Sequence, residues 1–236
     1  MKLEGKVVVI TGGEGPLGSV VSQKFLAEGA KAVIAWYSPD EWKDVKDSLA
    51  GYKGKYVDMN VDATKEEQVV ALMKKAKDTY GSVDILLHMV GMHQPNGDVL
   101  WKTEVTDLER LWSTNTKSAF LCAKHAIIYM LEKGQGRIVV FPARLAIEPK
   151  PKRIAYALSK IGLITLVEAL REELKETNIT INAVMPDAID TWRTAKLPLP
   201  REQKVKPEDI AELLVSLCMD GTNILSGSVL KIFGRR

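Results

Sequence analysis

Seven short β-branched runs punctuate this chain, and longer stretches of helical periodicity lie between them. The runs are KVVVIT (6–11), KAVIAW (31–36), KYVDMNV (55–61), VDILLHMV (83–90), RIVVF (137–141), TINAV (180–184) and SVLKIF (228–233). Several are apolar almost throughout, as strands covered on both faces must be. Strand–helix alternation of this kind implies right-handed crossovers and a doubly wound α/β sheet, mostly parallel, with helices on both faces. Helix ends can be read as well. Thr106 and Glu109 form a capping-box pattern opening a helix to about Glu132, and a second long helix covers 154–176. Pro207 stands at a first helical position with Gly221 as the stop, and Gly29 closes the first helix. The Pro-rich segment KLPLPREQKVKP (196–207) reads as a mobile loop.

The 236 residues suit a single domain spanning 1–236. Basic and acidic residues, 33 and 30, are interspersed to a net charge of +3, which leaves no nucleic-acid footprint. No apolar run reaches the ~18 residues of a membrane span, and MKLEGK has no signal-peptide core, so a cytoplasmic location is expected. Cys122 and Cys218 fall among apolar neighbours and read as small buried hydrophobes. His88 and His93 are five apart with no acid or cysteine cluster beside them, so no metal site is expected.

Between the first run and the first helix lies TGGEGPLG (11–18). Missing side chains in such a turn let the backbone approach a pyrophosphate at the positive end of a helix. Farther on, Tyr156 and Lys160 stand i and i+4 on one helix face. An ammonium ~4 Å from a phenol at an effective dielectric of ~20 attracts the phenolate by about 4 kcal/mol before desolvation. That would draw a phenol of ordinary pKa ~10 toward physiological pH as a general acid or base. The bland reading is that Tyr156 packs and Lys160 is a surface charge.

These features in this order resemble the short-chain dehydrogenase/reductase family, of Rossmann-like fold. Thr11, Gly12 and Gly18 match its turn T-G-x-x-x-G-x-G, with Pro16 in place of the second motif glycine and Glu14 adding a negative charge. Tyr156 and Lys160 match its Y-x-x-x-K, and Asn115 its proton-relay asparagine. Asn182, Pro186 and Thr191 match N-x-x-x-P-G-x-x-x-T, with Asp187 replacing the glycine. The resemblance implies Tyr156, Lys160 and Asn115 as catalytic residues. It implies cofactor contacts at Thr11, Gly12, Gly15, Leu17, Gly18, Trp36, Asp62, Gly91, Tyr156, Lys160, Pro186 and Thr191. The cofactor is NADP or NAD; the second run ends in Trp36, Tyr37 and Ser38 rather than a ribose-binding acid, which tilts the expectation to NADP.

Two further departures stand out. Ala143 occupies the place of the serine that binds the substrate oxygen, with Pro142 beside it. The fourth-strand motif N-N-A-G reads His88, Met89, Val90, Gly91. Losing one transition-state donor costs ~10²–10³ in rate, about 3–4 kcal/mol. Arg144 should point to the opposite face from residue 143, and His93 sits where the substrate cleft begins. Lys150, Lys152 and Arg153 rim that cleft and would attract an anionic substrate, such as an acyl thioester of a phosphopantetheine carrier. The expected activity is NAD(P)(H)-dependent hydride transfer to a carbonyl or from an alcohol, of a 3-oxoacyl-thioester reductase type, with impaired binding of the substrate oxygen. The alternative is a catalytically retired relative acting as a dinucleotide-binding sensor or scaffold. The resemblance also implies a small-molecule substrate and a homodimer or homotetramer packed through helices 106–132 and 154–176.

Overall fold

The computed structural model describes residues 1–94, 96–195, 199–200, 203–221 and 224–234. Its strands are β1 (Val7–Thr11), β2 (Lys31–Trp36), β3 (Tyr56–Asn60), β4 (Ile85–His88), β5 (Gln135–Val140), β6 (Asn178–Pro186) and β7 (Val229–Ile232). They form one sheet in the order β3-β2-β1-β4-β5-β6-β7. Every described pairing is parallel, from Val7 opposite Lys31 to Pro186 opposite Ile232. The helices are α1 (Pro16–Ala27), α2 (Pro39–Ser48), α3 (Glu66–Tyr80), α4 (Val105–Trp112), α5 (Ser118–Lys133), α6 (Ile154–Glu173) and α7 (Pro207–Cys218).

The two-residue period of each strand sorts its side chains into two cores. In β1, Val7 and Val9 join Leu86 and Ile138 under α3, α5 and α6, packed with Leu72, Met73, Met130 and Leu163. Val8 and Ile10 face the other way, onto Phe25 and Leu26 of α1 and Leu214 and Val215 of α7. Strands buried on both sides explain why these runs carry no polar alternation. Cys122 and Cys218 are free thiols in these cores, and burial pushes both up to about 12.

The sequence-derived boundaries fail where side chains compete with the backbone. The expected helix 106–132 is two helices joined by a π-helical turn, Ser113–Lys117. α4 begins one residue earlier than expected; Glu104 is its N-cap and makes no side-chain cap, so the Thr106–Glu109 box does not form. Within the π turn Ser118 Oγ donates to Thr114 O, and Thr116 Oγ1 donates to Ser159 O at 2.6 Å. Such π turns often accompany functional positions. α7 ends at Cys218, short of Gly221. Of the segment expected to be mobile, residues 196–198, 201 and 202 lie outside the described residues. Its described end is tied down: Val205 bridges Ile189 in parallel, and Lys204 is buried. No helix among the described residues is long and apolar enough to cross a membrane.

Candidate functional site

The strand order reverses direction between β1 and β4, and a doubly wound sheet opens its ligand crevice at that switch point. The turn after β1 lies there. Gly12 has φ +71°, and a Cβ on it would sit 3.0 Å from Met89 C and Val90 N. A Cβ on Gly18 would sit 2.2 Å from Gly12 O, so α1 packs directly on the turn. Gly15 is different: among the described residues, its chain neighbours aside, the atoms within 4 Å of its Cβ position are Gly12 O at 3.3 Å and Arg193 Nη1 at 3.9 Å. Its outer side is bare backbone at the N-terminus of α1, where Pro16 occupies the first helical position and no acidic side chain stands in the first turn. Thr11 is buried, and Leu17 packs part-buried on the second core.

At the end of β2 the sequence expectation changes. Trp36 stacks on Trp42 at 6.0 Å, and both indole N–H groups donate to Asp58 Oδ1. The Trp36 ring is thereby engaged in packing α2 onto β3. The expectation of NADP rested on the lack of an acid at this strand end, but Glu14 reaches it from the turn. Its Oε1 accepts from Tyr37 N at 2.9 Å, while its Oε2 is buried without a hydrogen-bond partner. Asp62 closes a turn of its own, accepting from Thr64 N and Oγ1 at 2.9 and 2.7 Å.

The exit of β4 carries the polar centre. His88 is fully buried, with Nδ1 3.0 Å from Thr11 Oγ1 and Nε2 3.0 Å from Ser118 Oγ. Because Ser118 spends its proton on Thr114 O, the imidazole donates from Nε2 and accepts at Nδ1 from Thr11. Burial, helped by the nearby Lys160 charge, pushes His88 down to about 3, so it stays neutral. Asn115, in the π turn, is a hub. Its Oδ1 accepts from Met92 N at 2.8 Å, and its Nδ2 donates to Met92 O and, at 2.8 Å, to Ser159 Oγ. Ser159 in turn donates to Tyr156 O. Asn115 therefore holds the chain after β4 against the helix that carries the tyrosine.

Tyr156 and Lys160 are both buried, at 7% and 6% exposure. Lys160 Nζ donates to Phe141 O at 3.0 Å, and a Cβ on Gly91 would lie 3.0 Å from that nitrogen and 3.4 Å from Asn115 Oδ1. Gly91 is the gap that admits the amine. The expectation that Lys160 acidifies Tyr156 is not met. Burial pushes the phenol up to about 12, opposed only by Arg153, and burial pushes Lys160 down to about 8. The ammonium has turned to the carbonyl beyond β5, so desolvation outweighs attraction at the phenol.

Ala143 lies in a small apolar cluster with Leu111, Ala155 and Tyr156, so a methyl group stands where a serine hydroxyl was looked for. Arg144 points away as expected: it pairs with Glu148 at 2.6 Å and Asp187 at 3.0 Å. Pro186 ends β6, and Thr191 and Thr194 cap one another around a 3-10 turn. Arg153 is less free than its cluster suggested, since it donates to Gln94 O. His93 meets the tyrosine, its ring edge-on at 5.2 Å between centroids. Burial, then the Arg153 and Lys160 charges, lower its pKa and keep it neutral. Sequence reasoning placed His93 only at the start of the substrate cleft, and left Ser159, Arg193 and the placement of Glu14 out of the site. Only position after a motif strand hinted at His93; the others depend on long-range packing. A recess beside Asp84 and Arg137, and an open groove of about 380 Å³ between Tyr80 and Tyr129, lie at the opposite end of the sheet.

A parallel doubly wound sheet with a glycine turn at its switch point defines a nucleotide-binding α/β protein. The family described as short chain dehydrogenase matches residues 6–201, and the chain belongs to that family of oxidoreductases. It is 29% identical to a 3-oxoacyl-acyl-carrier-protein reductase of Thermotoga maritima, over 99% of this chain and 98% of the relative. It is 30% identical to a 3alpha-hydroxysteroid dehydrogenase of Mediterraneibacter gnavus, over 99% and 98%. A short-chain dehydrogenase/reductase from Serratia marcescens shares the fold with a TM-score of 0.89 at 23% identity, covering 98% of each chain.

The buried neutral His88 makes stability acid-sensitive. Its pKa is about 3 folded and ~6.5 unfolded, so between those values the unfolded chain binds more protons. His88 should therefore cost about 1.4 kcal/mol of stability for each pH unit descended in that window. Urea unfolding from pH 7 to pH 4 should show this slope, and His88→Asn should flatten it. An unchanged slope would assign the acid sensitivity to other groups.

Proposed function

We propose that this chain is an NAD(P)(H)-dependent oxidoreductase acting on a carbonyl or alcohol, with Tyr156 as the proton donor, Lys160 as the ribose-binding cation and Asn115 as their anchor. The observation that carries this reading is the convergence of Lys160 and Asn115 on the bare Gly91 beside the buried phenol. A dinucleotide fits the residues present. Gly15 leaves backbone open to phosphate, and Glu14 Oε2 lacks the donor that a ribose hydroxyl supplies. When bound, the nicotinamide supplies or accepts a hydride. A phenol pushed up to about 12 keeps its proton at neutral pH and can give it to a substrate oxygen, which suits reduction. Lys160 has two N–H groups beyond the one given to Phe141 O. His93, neutral and against the Tyr156 ring, has one N–H to offer the same oxygen, which compensates for the hydroxyl missing at Ala143.

Three expectations follow from this reading. Tyr156→Phe should abolish reduction of an acyl thioester or ketone, and His93→Ala should slow it ~10²–10³-fold. Adding Ala143→Ser to His93→Ala should then recover much of the rate. Turnover that survives Tyr156→Phe would remove the tyrosine from the chemistry. No turnover in the wild type or in Ala143→Ser would favour the retired, dinucleotide-binding alternative.

Glu14 turns the cofactor preference to NAD, because a carboxylate accepts from a ribose 2′-hydroxyl and repels a 2′-phosphate. NADH should bind at least tenfold tighter than NADPH by tryptophan fluorescence, and Glu14→Gln should narrow that gap. Equal affinities in the wild type would reject the role.

Trp112, Phe120, Ile128 and Leu131 are exposed on α4 and α5, and Leu158 on α6, surface that suits assembly into a homodimer or homotetramer. Light scattering should give a multiple of 26.1 kDa; a monomer would contradict it. The exposed Lys150 and Lys152 suit an anionic acyl-thioester substrate, the class named for the Thermotoga relative. Lys150→Glu with Lys152→Glu should raise KM for such a substrate and spare neutral ketones.

A further inference from the structure

Arg193 reaches the glycine-rich turn from the far side of the crevice. Its Nη1 lies 3.9 Å from the position of a Cβ on Gly15, and its Nη2 pairs with Glu41 in the first turn of α2. The guanidinium carbon sits 5.0 Å from the Trp192 ring centroid. This placement is built. Arg193 lies within the 3-10 turn Trp192–Thr194, closed by the reciprocal Thr191 and Thr194 caps. Thr194 Oγ1 donates to Ile189 O, and the buried Lys204 donates to Thr194 O at 2.9 Å. The Ile189–Val205 bridge fixes the base of the segment.

The turn beneath needs a cation. Pro16 has removed a backbone donor where a pyrophosphate meets α1, and Glu14 adds a negative charge to the same loop. We propose that Arg193 binds the cofactor's pyrophosphate, its guanidinium replacing the donor absent at Pro16, and that Glu41 holds it over Gly15 until phosphate competes for it. This rests on the dinucleotide reading above. A guanidinium fork matches phosphate oxygens two at a time. The Arg193–Glu41 pair is partly exposed, 45% and 33%, and pairs of that kind are weak enough to yield to a dianion.

Calorimetric titration with NADH and with ADP-ribose tests this in the wild type, Arg193→Ala, Arg193→Lys and Glu41→Gln. Arg193→Ala should weaken both ligands about 10- to 100-fold, the worth of a lost charge-assisted bond. Arg193→Lys should fall between, and Glu41→Gln should bind a few-fold tighter. The ligand-free melting temperature reports folding; where Arg193→Ala lowers it, Arg193→Lys at wild-type melting temperature decides. Wild-type affinity in Arg193→Ala, or in that stable Arg193→Lys, overturns the role of Arg193 while leaving the dinucleotide reading intact. A wild type that binds neither ligand refutes the dinucleotide reading and this role together.

Discussion

Two backbones meet at the middle of the sheet, Gly12 against Met89 and Val90, and the site is arranged around that contact. A Cβ on Gly12 would come within 3.0 Å of the neighbouring peptide. Without that closeness the glycine turn and the exit of β4 would not share one crevice. Thr11 and His88, paired in register between β1 and β4, bond side chain to side chain directly below it. Through Ser118 the same imidazole reaches the π turn that bears Asn115. A chain of buried, satisfied polar groups thus runs from the turn to the helix carrying Tyr156, and such networks rigidify only when every member has its partner.

Burial, more than charge pairing, sets the chemistry of these groups. Tyr156 is pushed up, Lys160 and His88 are pushed down, and loss of solvent is the leading cause each time. The four-residue spacing of Tyr156 and Lys160 places their Cβ atoms on one face, but a lysine stem is long enough for its ammonium to choose a different partner. Here it chose Phe141 O and the gap at Gly91. The result is a phenol that holds its proton and an amine with hydrogen bonds still to give.

The residues around the crevice find their partners in other segments of the chain. His88 satisfies both ring nitrogens and leaves no orphaned donor. Gly15, next to Pro16, lies near Arg193, and Tyr37, just after β2, receives Glu14. Ala143 lies beside His93's partner, Tyr156. These neighbours are separated in sequence and close in space.

The pattern of apolar runs was enough to predict seven strands in a mostly parallel sheet with helices on both faces, because burial on both faces leaves a period that local reading detects. Motif spacing and the family resemblance, rather than the apolar pattern, singled out Tyr156, Lys160, Asn115 and the glycine turn. Local reading misjudged the helix 106–132, since the π turn at Ser113–Lys117 comes with the Thr116 side chain reaching Ser159 O across the fold. Only the tertiary structure decided where Glu14 and Arg193 point, that His93 meets Tyr156, and that Lys160 leaves the phenol protonated. Those outcomes depend on desolvation and on contacts between segments far apart in the chain, which no single stretch of sequence contains.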